Sequence, residues 1–270
     1  MRKHWAIAQI NAGSNVRENL DRSLELAHEA SEEGCSLIAY PEFFLVRGDQ
    51  DTTRNNPIPI DSEPVKEFCS FARKTNTHVL MGTIPIPDPD RDDYVYNTAI
   101  YIDDSGTIAS RYRKIHLFDI ELEDEFTLRE SDVLSSGQEV VDTEIDNVHA
   151  GLSICYDLRF PELFRKLADR RVQVIFVPSN FTRETGRAHW EPLLRARAIE
   201  NQCYIVAPNQ IGENPENGVH SLGQSMVVDP WGQVIARASD REDWFGFTVD
   251  TDYVHSVRRQ LPSLDHIELI

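Results

Sequence analysis

The chain has 270 residues and a mass of 30.9 kDa, with 27 basic against 45 acidic side chains and a formal net charge of −18. A surface this acidic repels phosphate backbones and anionic lipid headgroups, which argues against nucleic-acid and membrane partners and favours a small-molecule ligand. No apolar run has the length of a transmembrane helix, and the first residues resemble a strand more than a signal peptide.

Short apolar runs rich in β-branched residues alternate with longer amphipathic stretches, and no linker divides them, so we expect one α/β domain over residues 1–270. The first predicted helix begins after a cap at Ser14 or Asn15 and ends at Gly34. The other predicted helices are Asp61–Lys74, Phe160–Arg170, Gly186–Asn201 and Asp252–Gln260. The predicted strands are Trp5–Ile10, Ser36–Tyr40, His78–Thr83, Tyr96–Ile102, Val148–Cys155, Val172–Pro178, Cys203–Pro208, Gln224–Asp229, Val234–Ala236 and Trp244–Val249.

So many strands in a chain of this length favour two packed sheets over one open sheet. Turn residues at 103–106 and 229–232 predict two hairpins. The four cysteines are widely spaced without a CxxC pair, which indicates neither a disulfide framework nor a zinc site and favours a reducing, cytoplasmic location. The nine histidines form no metal-binding pattern, so we expect neither a metal nor a cofactor.

Cys155 differs in context from the other cysteines, because it follows an apolar strand and precedes a helix with Pro161 near its start. Backbone N–H groups and the helix dipole at such a position favour the thiolate, so Cys155 is a candidate nucleophile. The alternative is a buried core cysteine, which is the better interpretation of Cys35 and Cys203.

A nucleophilic thiol needs a base and a group that stabilises the oxyanion. Glu42 lies at the end of the second predicted strand among apolar residues, and Lys114 lies in an alternating apolar stretch. The two could form the base and its cationic partner, or simply a structural ion pair.

With these three motifs in this order, YPEFF, YRKIHLFD and ICYDLRFPELFR, the chain resembles the nitrilase superfamily of carbon–nitrogen hydrolases over nearly its whole length. The resemblance implies a Glu42–Lys114–Cys155 triad, with Glu42 as general base, and a second glutamate, Glu130, that orients Lys114. It also implies an α/β four-layer α-β-β-α sandwich of two packed mixed sheets. Members pair through helices, which here would be Gly186–Asn201 and Phe160–Arg170, into a homodimer or higher homo-oligomer.

Tyr156-Asp157 replaces the Trp-Glu pair typical of nitrile-hydrolysing members, and the chain is more similar to the amidase branches, deaminated glutathione amidases and omega-amidases. The resemblance implies hydrolysis of a terminal carboxamide of a small carboxylated substrate, a 2-oxo-acid amide or a deaminated-glutathione-like amide, to acid and ammonia through a cysteine thioester. It also implies that Lys114 and the Tyr156 backbone N–H hold the oxyanion. Two residues of the segment expected to line the pocket depart from those relatives: Asn180, which precedes Phe181, and Arg187.

Arg159 is the candidate for binding the substrate carboxylate, since a guanidinium can grip it with two hydrogen bonds. An ion pair of Arg159 with Asp157 or Glu162 is the structural alternative. Three further functions compete with the amidase: N-carbamoyl amino-acid amidohydrolase, nitrilase and a non-catalytic binding module.

Overall fold

The computed structural model describes residues 1–122 and 126–268. Its strands are β1 (Arg2–Gln9), β2 (Leu37–Ala39), β3 (His78–Pro87), β4 (Val95–Ile102), β5 (Ile108–Arg113), β6 (Asp119–Leu122), β7 (Phe126–Arg129), β8 (Asp142–Ile145), β9 (Val148–Leu152), β10 (Val174–Phe176), β11 (Tyr204–Ala207), β12 (Ile211–Glu213), β13 (His220–Leu222), β14 (Met226–Val228), β15 (Val234–Arg237) and β16 (Asp243–Asp250). Its helices are α1 (Val16–Glu32), α2 (Gln50–Asn55), α3 (Glu63–Thr75), α4 (Pro161–Asp169), α5 (Arg183–Asn201) and α6 (Thr251–Gln260). Short 3₁₀ turns cover Glu130–Asp132, Cys155–Arg159 and Ser263–His266.

Two mixed six-stranded sheets form the centre of the molecule. The first has the order β16-β1-β2-β3-β4-β5, with β1, β2 and β3 parallel to one another. The second has the order β15-β14-β11-β10-β9-β8, with β9, β10 and β11 parallel. Each sheet therefore has a parallel centre, whose carboxyl ends lie at one edge, and antiparallel flanks.

The alternation of side chains along β1 shows how the layers pack. Trp5 and Ile7 lie in a core shared with the second sheet, whereas Ala6 and Ala8 lie in a core shared with α1 and α3. On the far side of the second sheet, α4 and α5 cover β9, β10 and β11. The order of layers is helix, sheet, sheet, helix, which confirms the predicted α-β-β-α sandwich.

The first helix begins as predicted, because the Asn15 side chain accepts hydrogen bonds from the backbone N–H groups of Arg17 and Glu18. All ten predicted strands and all five predicted helices are present, with boundaries shifted by a few residues. Both predicted hairpins are present as well, between β4 and β5 and between β14 and β15. The sequence analysis missed α2 and the strands β5, β6, β7, β8, β12 and β13.

Candidate active site

Glu42, Lys114 and Cys155 converge on one pocket from three separate strand ends. Glu42 follows β2 and Lys114 follows β5, both in the first sheet, and Cys155 follows β9 in the second. The carboxyl ends of the parallel strands in both sheets meet at this edge, which is where open α/β sheets commonly bind ligands. The side chains of Glu42 and Lys114 are 2% and 1% exposed, so both charges are removed from water.

The turn that carries Glu42 has a constrained backbone. Phe43 adopts a left-handed φ of 57°, and its N–H donates to Thr83 Oγ1 at 2.7 Å. A side chain on Gly82 would lie 1.7 Å from the Tyr40 carbonyl oxygen, so only glycine lets β3 pass this turn. The Glu42 carboxylate is thereby held at the pocket wall by its own backbone.

The Glu42 carboxylate accepts hydrogen bonds from donors on several other elements. Oε1 accepts from Lys114 Nζ at 3.0 Å and from Asn97 Nδ2 at 2.8 Å. Oε2 accepts from the Asn180 backbone N–H at 2.8 Å. Three donors, on β4, directly after β5 and in the loop after β10, thus hold the buried carboxylate in one orientation.

Lys114 lies between two carboxylates. Its Nζ donates to Glu130 at 2.9 and 2.8 Å in addition to Glu42. Burial by itself lowers the pKa of Lys114, but the neighbouring Glu130 and Glu42 charges outweigh it and raise the pKa well above its ordinary value. The pKa of Glu130 is raised as well. Burial is the largest cause, the Lys114 charge opposes it, and the repulsive Glu42 charge adds to it. The two carboxylates therefore favour the charged, ammonium form of Lys114.

Cys155 lies at the start of the 3₁₀ turn with a left-handed φ of 46°, an unfavourable conformation for a residue with a side chain. Its N–H donates to the Pro178 carbonyl at 2.9 Å, which ties the turn to the loop after β10. The sequence context favours the thiolate, whereas the surroundings of the folded site oppose it. Burial and the Glu42 charge raise the pKa of the Cys155 thiol well above its ordinary value, although Lys114 opposes them.

Asp157 connects the cysteine turn to the strand that leads to Lys114. Its fully buried carboxylate accepts from Tyr112 Oη at 2.7 Å, from the Ile154 N–H at 2.9 Å and from the His116 N–H at 3.0 Å. His116 Nδ1 lies 2.7 Å from the same carboxylate. Asp157 thus holds the segments on either side of Lys114 and Cys155 at a constant separation.

The pocket has a volume of about 270 Å³ and includes the predicted substrate-binding residues Arg159, Asn180 and Phe181. The Arg159 guanidinium lies 5.3 Å from the Phe181 ring and 3.3 Å from His189 Nδ1. Within residues 1–122 and 126–268, neither alternative partner, Asp157 or Glu162, forms an ion pair with it. Tyr156 also lines the pocket, with Phe118, Val133 and Leu134 on the apolar side.

Arg187 was expected to line the pocket together with Asn180, and this is wrong. It is exposed on the first turns of α5 and does not belong to the pocket wall. The helix turns its Gly186 face inward, against Leu222, and carries the next residue toward solvent. Of the two residues that differ from the relatives, only Asn180 lines the pocket and can contact a ligand directly.

Several polar residues of the site were missed by the sequence analysis: Asn97, Asp157 as a structural link, Arg47, Gln210 and Ser221. Asn97 carried a usable signal, since it is an amide side chain within a mostly apolar strand. The others carry none, because their partners lie far away in the chain.

Two further observations concern ligands and membranes. In the described part of the chain, no three His, Cys, Asp or Glu side chains converge in a way that could hold a metal ion. None of the helices described between residues 1 and 268 combines the length and the apolar character needed to cross a bilayer.

Two packed mixed sheets with a buried glutamate, lysine and cysteine at one edge define a hydrolase of the nitrilase type. The sequence model of the carbon-nitrogen hydrolase family matches residues 5–259, so the chain belongs to that family. It is a hydrolase that acts on amides.

Relatives place the chain near amidases. It is 37% identical over 263 residues to a deaminated glutathione amidase of Synechocystis, covering 97% of this chain and 96% of that protein. It is 39% identical to the nitrilase and fragile histidine triad fusion protein NitFhit of Caenorhabditis elegans, of which it spans 60%.

Solved structures show the same fold. The C. elegans NitFhit structure matches with a TM-score of 0.93 at 36% identity, covering 99% of this chain and 65% of that chain. Nit3 of Saccharomyces cerevisiae matches with a TM-score of 0.86 at 30% identity, covering 97% and 94%. An amidase from Nesterenkonia, solved with acrylamide added at its active-site cysteine, matches with a TM-score of 0.79 at 25% identity, covering 97% and 98%.

Proposed function

We propose that this protein hydrolyses the terminal carboxamide of a small carboxylated acid through a thioester on Cys155. The observation that carries the proposal is the convergence of Glu42, Lys114 and Cys155 in one pocket, with both charged groups buried. The name of the Synechocystis relative supports a carboxylated amide as substrate. The guanidinium of Arg159, which forms no ion pair within residues 1–122 and 126–268 and lines the pocket, supports it independently.

The raised pKa of the thiol means that Cys155 must lose its proton during attack. Glu42 faces the sulfur and takes that proton as the Sγ–carbon bond forms and the amide carbonyl becomes an oxyanion. Lys114 and the Tyr156 backbone N–H hold the oxyanion. Glu42 then returns the proton to the departing nitrogen, so the C–N bond breaks, ammonia leaves and a thioester remains.

A water molecule completes the reaction. Glu42 accepts a proton from the water as its oxygen attacks the thioester carbonyl, and the proton goes to the leaving sulfur. The products are the free acid and the restored thiol. Glu130 fixes the position of the Lys114 ammonium through its two short contacts, so that the cation stabilises the oxyanion by its charge.

The test is replacement of the nucleophile. Cys155→Ser and Cys155→Ala should reduce ammonia release from the 4-amide of succinic acid by at least about 1,000-fold. Circular dichroism should show an unchanged fold. The matched control is Cys203→Ser, a fully buried cysteine outside the pocket, which should affect stability without a comparable loss of turnover. Retained turnover in both Cys155 variants would refute the thioester.

The assay should record carbon dioxide together with ammonia, since release of both from N-carbamoyl amino acids would identify the carbamoyl hydrolase instead. We also propose a cytoplasmic location, which the four free cysteines support.

A further inference from the structure

We infer that Asn180 is a specificity-determining residue whose side-chain NH₂ group binds an oxygen acceptor on the acyl chain of the substrate, beside the scissile amide. The orientation of the Asn180 side-chain amide is imposed by a relay of hydrogen bonds that runs from Arg47 through Ser221 to Asn180. The inference rests on the proposed amidase function and adds the recognition of the acyl group to it.

The relay begins at a buried cation. Arg47 is 2% exposed, and within the described residues no carboxylate forms an ion pair with it. Its guanidinium donates instead to backbone and side-chain oxygens, among them Ala12 O at 2.9 Å and Glu213 O at 3.0 Å. Burial lowers the pKa of Arg47 to about 10, so it remains a cation at neutral pH. A guanidinium has only donors, and this sets the direction of the chain of bonds.

Ser221 passes that direction on. Its Oγ accepts from Arg47 Nη1 at 2.9 Å, and it lies 2.5 Å from Asn180 Oδ1. In the described part of the chain, the Ser221 hydroxyl donates its proton to Asn180 Oδ1. Since the Ser221 hydroxyl donates, Asn180 must turn its oxygen toward Ser221 and its NH₂ group away from it.

The NH₂ group faces the ligand space. Asn180 lines the pocket, and no protein acceptor is recorded for its Nδ2 within residues 1–122 and 126–268. Asn180 Nδ2 is not one of the fully buried, unpaired side-chain atoms of the described residues. It is therefore accessible from the pocket. An accessible donor on the wall of the pocket favours a ligand that carries an acceptor at that place.

The position of Asn180 determines which ligand atom it reaches. Its backbone N–H donates to Glu42 Oε2 at 2.8 Å and also contributes to the environment of the Cys155 thiol. The short side chain therefore starts beside the reacting atoms. An oxygen one or two carbons from the amide carbon is within its range, whereas the distal carboxylate belongs to Arg159.

The experiment compares the 4-amides of succinic acid and malic acid, which share length and charge and differ by one hydroxyl two carbons from the amide carbon. The readout is the ratio of kcat/KM for the hydroxylated over the plain amide. We expect a ratio of about 3 to 10 in the unmodified protein, the value of one hydrogen bond, and a ratio near 1 in Asn180→Ala.

Variants of Ser221 separate orientation from folding. Ser221→Ala removes the hydroxyl that holds the amide and should lower the ratio, whereas Ser221→Thr keeps the hydroxyl and should keep it. A structural role of either residue would reduce turnover of both amides equally and leave the ratio unchanged. An unchanged ratio in Asn180→Ala, or a ratio near 1 in the unmodified protein, would overturn the inference.

Binding to the Cys155→Ala protein separates this inference from the proposed function, because it needs no turnover. Calorimetry should give a lower Kd for the malic amide than for the succinic amide, and the difference should disappear when Asn180→Ala is added. If the unmodified protein releases no ammonia but the Kd difference is present, the amidase proposal fails and the relay stands. Equal Kd values, or no binding of either amide, would count against the relay.

Discussion

Lys114 is the residue on which the electrostatics of the site depend. A buried ammonium is costly by itself, and here it is compensated by two carboxylates within 3.0 Å. Because Glu42 and Glu130 share one cation, the three groups carry a net negative charge beside the thiol. Burial and the Glu42 charge raise the pKa of the Cys155 thiol, and Lys114 opposes them, so the thiol has to give up its proton when it attacks a substrate carbonyl.

A substitution of Arg159 tests whether this residue recognises the negative charge of the substrate. Arg159→Ala should raise the KM for the 4-amide of succinic acid by about 10-fold or more, the value of a charged hydrogen bond, and change the KM for uncharged butyramide little. Steady-state kinetics on the two amides measure the effect.

The matched control is Arg187→Ala, which removes the same charge from an exposed position outside the pocket. It should leave both KM values within about 2-fold. Equal increases for the charged and the neutral amide in Arg159→Ala would instead assign Arg159 a structural role.

At the level of elements, the turn between β8 and β9 connects the two sheets. Asp146 in this turn is 7% exposed and lies 2.6 Å from Lys3 Nζ, 2.9 Å from Trp5 Nε1 and 2.6 Å from Ser36 Oγ. All three partners belong to the first sheet or its connections. A single carboxylate thus joins the end of the second sheet to the amino-terminal side of the first.

Asp146→Asn should lower the free energy of unfolding by about 2 to 4 kcal/mol, because it leaves Lys3 and other buried donors poorly paired. Urea unfolding measures the loss. The control is Asp21→Asn, which breaks an exposed pair with Arg17 on α1 and should cost less than about 1 kcal/mol. Similar losses in the two variants would contradict a special role of the turn.

The pH dependence of that loss has a defined sign. Burial by itself raises the pKa of Asp146, but hydrogen bonds from Lys3, Ser36 and Trp5 outweigh it and lower the pKa. The stabilisation by Asp146 is therefore complete above the pKa of the unfolded chain, about 3.9, and disappears as the pH falls through the lower folded value. Unfolding curves of the unmodified and variant proteins should differ at pH 7, and the difference should shrink only as the pH falls below about 3.9.

For the whole molecule, homo-oligomerisation remains a prediction. Ile199 on α5 and Trp231 on the hairpin between β14 and β15 are 50% and 49% exposed, and they are neighbours because Gly232 packs against Ile199. Adjacent exposed apolar side chains on a charged protein favour a contact with a second copy. This pair lies at the end of one of the two helices expected to mediate pairing.

Light scattering should give about twice the chain mass of 30.9 kDa for the unmodified protein. Ile199→Asp should shift it toward the monomer, whereas Leu261→Asp, at a 52% exposed position after α6, should not. Two copies with a charge of −18 each repel, so added KCl should strengthen association through screening. A monomer of the unmodified protein at every salt concentration would contradict the prediction.

The organisation of residues 1–270 as one domain also remains a prediction. Its check is thermal unfolding followed by two probes, circular dichroism and tryptophan fluorescence. Coincident transitions would agree with one cooperative unit, and separate transitions would contradict it.

The elements that the sequence analysis missed lack a local sequence pattern. Helix α2 is short and built from the polar residues of Gln50–Asn55, and β8 is an edge strand of four residues with one buried side chain. Neither has the apolar periodicity that identifies helices and strands in a sequence. Both form because neighbouring segments supply their hydrogen bonds, and this cannot be seen before the chain is folded.

Local patterns and turn residues, which act within a few positions of each other, predicted an α/β chain, most strands and helices, and the positions of Glu42 and Cys155 at strand ends. The four layers and the role of Lys114 followed from the family resemblance. The raised pKa of the thiol, the outward position of Arg187 and the hydrogen bonds that Ser221 makes with Arg47 and Asn180 became apparent only in the folded molecule. Burial and hydrogen-bond partners depend on contacts between distant segments, such as the pair of Arg47 and Ser221, which lie 174 residues apart.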